Sequence, residues 1–335
     1  MRRAWHRFRV FENFLEWGQA SSLDDFIRIQ RKNAAVPWVN TIAIGRGDPR
    51  AWYADIGAIP DVPDALVQRC TPPVGAAMAK SIPGLPVLDG SVSTCDWQVD
   101  ARAVQAGTLP AERMPSLMRR DYVGNFNGSY WLANLAAPLT GYDRIIGQAD
   151  VPQSVRTRLG HAIAERLLAD PKGVSADALG RAALGSEAMS ARLFRQPVLD
   201  RLCGTTRPAD AALWDALWQR LSLIPPRQLY ATPFDPARPL ATPAGIAATP
   251  ARLAAALHEA IATLRGAGIA LDAPRSVTLY VQRNDERIAL FGGCDVAGYF
   301  TAACASYGRA DALAPPAGAV TRSAGPEFEW SIVPA

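Results

Sequence analysis

Two kinds of apolar spacing succeed one another along the chain, and each predicts a different element. In "SSLDDFIRIQRKN" Leu23, Phe26 and Ile27 fall on one face, Ser22 stands where a cap belongs and Asp25 is the third residue after it, so the spacing predicts a capped helix. Runs rich in β-branched and aromatic residues follow at Trp38 to Ile44 and Ala51 to Ile56, and the Gly-Arg-Gly-Asp-Pro between them predicts a hairpin turn. From Pro60 to Pro115 Pro and Gly interrupt every period, which predicts a long ordered coil tied down by its neighbours. Helical spacing returns beyond Gln153: Val155, Leu159, Ile163 and Leu167 share a face, and segments near 175–204 and 209–223 repeat the pattern. The clearest helix is "TPARLAAALHEAIATLRGAG", with Thr249 as cap, Pro250 in the first turn and Gly266 as terminator. "SVTLYVQ" and "RIALF" then predict a second hairpin around Asn284-Asp285. Strands toward both ends of a helical middle predict an α+β architecture, not a βαβ sandwich.

Composition narrows the partners. The 335 residues carry a net charge of only +4, and nine Trp and eight Tyr are scattered without an accompanying Lys/Arg stripe, so nucleic acid is not an expected partner. The one basic run, Arg2, Arg3, His6, Arg7 and Arg9, reads as a solvated or frayed terminus. Arg7, Arg9, Glu12 and Glu16 break up the opening residues, which therefore do not read as a signal peptide, and no stretch approaches the roughly 18 apolar residues of a spanning helix. No membrane association is expected, and the chain as written is expected in the cytoplasm. The five cysteines form no C-x-x-C pair and have no His at zinc-ligand spacing, so neither a metal nor a cofactor is expected. Cys70 and Cys95 bracket a Pro- and Gly-rich loop that a disulfide could close; two free thiols are the equal alternative.

Familiar catalytic signatures are missing. There is no G-x-S-x-G elbow, and Gly45-Arg46-Gly47 lacks the third glycine and opens a turn, so it is no dinucleotide fingerprint. Turn chemistry also accounts for Arg46-Gly47-Asp48 without an adhesive role. His161 and His258 sit among charged or small residues and read as parts of solvated helix faces. Asp24 and Asp25 fall in a helix first turn, where capping and the helix dipole explain them.

One stretch stands apart. "NFNGSYWLAN", Asn125 to Asn134, packs three amides, a glycine and three rings into ten residues. By residue type alone, such a loop satisfies its own turns with the amides and fills a core with the rings. With its neighbours it says more. "LDDFIRIQRKNAAVPWVNTIAIGRGDPRAWYADIGAIP", "GLPVLDGSVSTCDW", "RRDYVGNFNGSYWLANLAAPLTGY" and "PFDPARPLATPAGIA" resemble, in that order, the later β-chain of the penicillin acylase family, most of all its acyl-homoserine-lactone and aculeacin acylases. The resemblance covers 23–299; residues 1–22 and 300–335 do not share it.

The resemblance implies an N-terminal-nucleophile hydrolase with part of an αββα sandwich and an inserted helical region. The reaction implied is hydrolysis of the amide of an acylated amine of acyl-homoserine-lactone, β-lactam or lipopeptide type by the terminal Ser of a self-cleaved precursor, its own α-amino group serving as base. Within the loop, alignment gives Asn127 the task of donating its amide to the oxyanion, with Asn125 as the fallback. A carboxamide suits that task because it stabilises negative charge without adding an ionisable group. Arg156 matches an arginine that holds the site's geometry if one inserted residue is allowed; Arg158, one helical step on, stays open, as does a plain surface arginine. Trp38, Asn40, Tyr53 and Asp55 read as sheet scaffold.

A working enzyme of this kind begins its mature chain with Ser, whereas this chain begins with Met. The expectation is therefore a fragment, inactive alone, whose partner is an upstream half bearing the nucleophile and most of the acyl pocket; a non-enzymatic remnant is the alternative. Relative to the family, the segment between Cys203 and Pro233 looks shortened and the final strands are lacking, so open strand edges are expected. The family is largely exported, which implies a periplasmic or secreted location.

Overall fold

Ser22 starts a helix as its position predicts: its hydroxyl accepts from the Asp25 N–H at 3.1 Å, and the Asp25 carboxylate reaches back to the Ser21 N–H. The computed structural model describes residues 7–37, 39–82, 85–202, 211–283 and 286–304. Its contacts divide the chain into two units, Met1–Asp150 and Val151–Ala335.

The first unit opens with α1 (Arg7–Trp17) and α2 (Leu23–Asn33). From Arg7 onward the N-terminal stretch is not a frayed end. Arg9 donates to the Asn33 carbonyl at 2.9 Å and to Gln105 Oε1 at 3.0 Å, Glu16 accepts from Lys32 and Asn33, and Trp17 stacks on Phe26 at 4.6 Å. Arg2, Arg3 and His6 lie outside the described residues. The first hairpin forms as β1 (Thr41–Ile44) and β2 (Ala51–Ala54), antiparallel with Thr41 opposite Ala54. Asp48 closes the turn by binding the Arg50 N–H and guanidinium, which leaves Arg46-Gly47-Asp48 as turn chemistry. Trp38 lies outside the described residues.

The Pro60 to Pro115 stretch is pinned as expected but is not all coil. It holds two short helices, α3 (Asp64–Cys70) and α4 (Pro73–Met78). The rest is fixed by backbone pairs such as Leu109 N–H to Ile59 O (2.9 Å) and by Arg113 on the buried Asp61 at 2.8 Å. Cys70 and Cys95 are disulfide-bonded, with Cα atoms 5.6 Å apart. A third strand, β3 (Ser116–Arg119), pairs antiparallel with β2 and completes a β1-β2-β3 sheet. Because side chains alternate, Ala43, Trp52 and Ala54 share the face that packs with Leu23 of α2, whereas Tyr53 and Leu117 share the other face and pack with Tyr130 and Ala133. The Asn-rich loop therefore lies against the second face of this sheet. At its β1 end that face stays uncovered, with Ile42 49% and Ile44 73% exposed.

The second unit is mostly helical: α5 (Val155–Leu168), α6 (Ala176–Ala183), α7 (Met189–Arg201), α8 (Ala211–Leu221), a single turn α9 (Pro226–Leu229) and α10 (Pro250–Gly266). Thr249 caps α10 through the Arg252 N–H, and Leu253, Ala256, Ala260 and Leu264 turn toward α8. Trp214 and Trp218 of α8 fill the centre, and each spends its indole N–H, on Ser190 Oγ at 3.0 Å and on the Val296 carbonyl at 2.7 Å. Pro274 starts one more turn, α11 (Arg275–Thr278), so the predicted strand loses its first residues; β4 (Tyr280–Arg283) and β5 (Glu286–Ala289) then pair antiparallel. The turn at Asn284-Asp285 and Cys203 lie outside the described residues. A second disulfide that spacing did not suggest joins Cys294 to Cys304. Among the described residues no helix is long and apolar enough to cross a membrane.

Candidate active site

In the first unit, Arg119 at the end of β3 grips Asp121 at 2.7–2.8 Å, and this contact, helped by Asn134, holds the Asp121 carboxyl well below the usual carboxylate range. Asn134 is fully buried; its Nδ2 donates to the Tyr122 carbonyl at 2.9 Å and its Oδ1 accepts from Ala136 N–H. With Gly124 N–H bonded to Ala133 O at 2.9 Å, these contacts close the loop at its base.

At the tip, Asn125 braces a tight turn. Its Oδ1 accepts from the Asn127 N–H at 2.9 Å and its Nδ2 donates to the Gly128 carbonyl at 3.1 Å. Asn127 itself takes left-handed backbone, φ +61°, a region that asparagine tolerates better than other side-chain-bearing residues. Its carboxamide is exposed and makes no hydrogen bond to the described residues. The three amides thus divide: two are consumed by the loop, one is presented.

Beyond the tip, Ser129 caps a 3-10 turn, Tyr130–Leu132, and its hydroxyl donates to the Gln148 carbonyl. Tyr130 and Trp131 are buried, Tyr130 meeting Tyr142 edge-on at 5.1 Å. Beneath lies Tyr53, whose phenol is pushed up by burial and by the Asp55 charge, with the nearby Asn125 carboxamide offsetting part of the rise. Burial alone raises the half-buried Asp55 to about 6. Tyr53 is sheet scaffold as its position suggested, and Asn40 is exposed.

The two arginines lie in the second unit. Ser154 caps α5 through the Thr157 N–H at 3.0 Å, which puts Arg156 in the first turn. A cation there opposes the helix dipole, typically by about 0.3–1 kcal/mol, and no acidic residue in that turn compensates. Arg156 is half-buried, and its Nε donates to the Phe300 carbonyl at 3.1 Å. Arg158 is used differently. It is 2% exposed, its Nε and Nη1 are spent on the Leu240 and Pro243 carbonyls at 2.6 and 3.0 Å, and desolvation pulls its pKa down.

One expectation fails in this helix. His161 is not on a solvated face but fully buried, and desolvation lowers it to about 4, so it is held neutral. Its neighbours in sequence are small or charged, but one turn back stands Arg158, itself turned inward, and the helix buries more of its circumference than the apolar stripe suggests. His258 is exposed as read. Among the described residues no group of three His, Cys, Asp or Glu side chains is placed to hold a metal ion.

No family model matches the chain. Curated proteins do. It is 32% identical over 270 residues to the acyl-homoserine lactone acylase PvdQ of Pseudomonas putida, covering 75% of this chain and 34% of that protein. The PvdQ of Pseudomonas fluorescens is 30% identical over 310 residues, with 85% and 38% covered. Aculeacin-A acylase of Actinoplanes utahensis is 37% identical over 211 residues, with 61% and 26% covered. The chain spans about a third of the length of the curated relatives it matches.

Proposed function

This chain belongs to the penicillin acylase family of N-terminal-nucleophile hydrolases, and from that premise we propose that it supplies the oxyanion-stabilising part of an amide-hydrolysing acyl-transfer site. The observation that carries the reading is the division among the three asparagines. Asn125 and Asn134 are occupied by their own loop, and Asn127 alone holds a carboxamide out to solvent on a backbone braced by its neighbour.

In this reading a serine hydroxyl supplied by the remainder of the protein attacks the carbonyl of an N-acylated amine. Negative charge gathers on the carbonyl oxygen, and Asn127 Nδ2 donates to it. The serine's proton passes to the α-amino group and then to the departing amine, leaving an acyl-ester that water cleaves. Arg156, in the second unit, keeps the geometry-holding role that the resemblance assigns to it. A donor without an attacking group cannot form the ester, so turnover in this reading requires the serine-bearing remainder of the protein. The substrates named for its relatives, acyl-homoserine lactones and aculeacin A, mark the class: an amide joining an acyl chain to a polar amine.

The same reading makes the three-stranded sheet one layer of an αββα sandwich. Ile42 and Ile44, apolar and exposed on the outer strand, support a further layer from the rest of the protein. Two disulfides support an oxidising, exported location.

The test is to assemble the chain with a candidate upstream half and follow cleavage of an N-acyl-homoserine lactone. Turnover is expected from the assembly and not from the chain alone, and Asn127→Ala is expected to lower kcat by roughly 100–1000-fold without loss of assembly. Full activity in that variant overturns the role of Asn127, and no turnover with any supplied half leaves a non-enzymatic remnant.

A further inference from the structure

The geometry points to the disulfide-closed segment Cys294–Cys304 as the positioning element for Arg156, acting through the Phe300 carbonyl. This rests on the reading of Arg156 as part of the acyl-transfer site. Arg156 Nε donates to that carbonyl at 3.1 Å across 144 residues of sequence. A carbonyl that accepts from Nε fixes the plane of the guanidinium, and so decides where the two Nη groups of a long, rotamer-rich side chain point. The carbonyl's own placement is therefore one determinant of that direction.

That placement is heavily specified. The bridge between Cys294 and Cys304 closes the segment, and Ala303 N–H to Gly293 O (2.8 Å) and Gly293 N–H to Thr301 O (3.2 Å) lace it from within. From outside, Trp218 Nε1 holds the Val296 carbonyl at 2.7 Å, Met189 N–H holds the Gly298 carbonyl at 3.1 Å, and Thr301 Oγ1 donates to Ala183 O at 2.6 Å. Gly298 adopts φ +80°, and a Cβ there would stand 2.9 Å from Val155 Cβ, so the segment touches the start of α5 one residue before Arg156. The residue before Phe300 is anchored most firmly of all. Tyr299 is 1% exposed and donates its hydroxyl to the buried Asp215 at 2.7 Å, while Arg275 contacts both that hydroxyl and the ring face. Neither the bridge nor the Tyr299 to Asp215 contact is needed to make α5 a helix, which Ser154 caps independently.

The reporter is exchange of the Arg156 Nε–H with solvent, read by nitrogen-15 NMR on the full chain and assigned by its loss in Arg156→Lys. The Arg158 Nε–H, bound to Leu240 O, is the internal control. Tyr299→Phe and the pair Cys294→Ser/Cys304→Ser are each expected to speed exchange at Arg156 by roughly ten-fold or more while Arg158 changes by less than about two-fold. If the cysteine pair loosens both arginines, selective loosening in Tyr299→Phe still supports the positioning role. An Arg156 signal unmoved in Tyr299→Phe overturns it. In the assembled acylase Tyr299→Phe is expected to lower kcat by about ten-fold with KM within about two-fold, whereas a change confined to KM counts against positioning. The exchange measurement needs no turnover, so an assembly that never cleaves an amide would sink the acylase reading and leave this coupling to be decided separately.

Discussion

Arg156 and Arg158 differ by two positions and by everything that surrounds their guanidinium groups. Sequence left either open, because one helical step separates them and the apolar pattern of α5 does not say that a charged side chain turns inward. The structure commits Arg158 to two buried carbonyls, so Arg158→Ala is expected to destabilise the second unit by roughly 2–4 kcal/mol, the cost of leaving both acceptors unpaired, and urea unfolding followed at Trp214 and Trp218 would read it. His161 makes the same point with a sign attached. Its folded pKa of about 4 lies below its ordinary 6.5, so above pH 6.5 it costs nothing, and as pH falls from 6.5 toward 4 the unfolded chain takes up a proton that the folded chain refuses. Relative to His161→Gln, the parent is expected to lose about 3 kcal/mol between pH 7 and pH 4. The comparison must be with that variant, because Asp215, raised to about 6 by burial, shifts stability in the opposite direction over much of the same window. Asn127 was legible only through resemblance: nothing in N-x-N-G by itself tells which amide the turn will consume.

Elements read well where their causes are local. The caps at Ser22 and Thr249 each depend on a hydroxyl and an N–H three residues on, and Thr249→Ala is expected to cost about 1 kcal/mol of thermal or urea stability. Elements read poorly where the cause is distant. The strand Ser116–Arg119 carries no alternation of its own and exists because β2, more than 60 residues upstream, offers it an edge. The Cys294–Cys304 bridge is of the same kind, since only the folding back of the chain at Gly298 brings the two thiols together. The Cys70–Cys95 bridge closes a 25-residue separation, which by chain entropy corresponds to about 3 kcal/mol, and Cys70→Ser/Cys95→Ser is expected to lower the urea midpoint of the first unit accordingly.

At the scale of the molecule, the α+β content was legible from the order of periods, while the division after Asp150 was not, because a loop of ordinary composition carries it. The exposed side of the sheet bears on assembly. If the rest of an acylase pairs with or covers β1, deuterium exchange at Thr41–Ile44 is expected to slow on complementation, and unchanged exchange in an active assembly would mean that the covering layer lies elsewhere. Two isoleucines beside main-chain groups that no second described strand pairs also dictate how the lone chain behaves in a test tube. Such a border recruits its own kind, so scattering should climb with protein concentration and subside when a lysine replaces Ile44, which is the form to choose for any spectroscopy on the chain by itself.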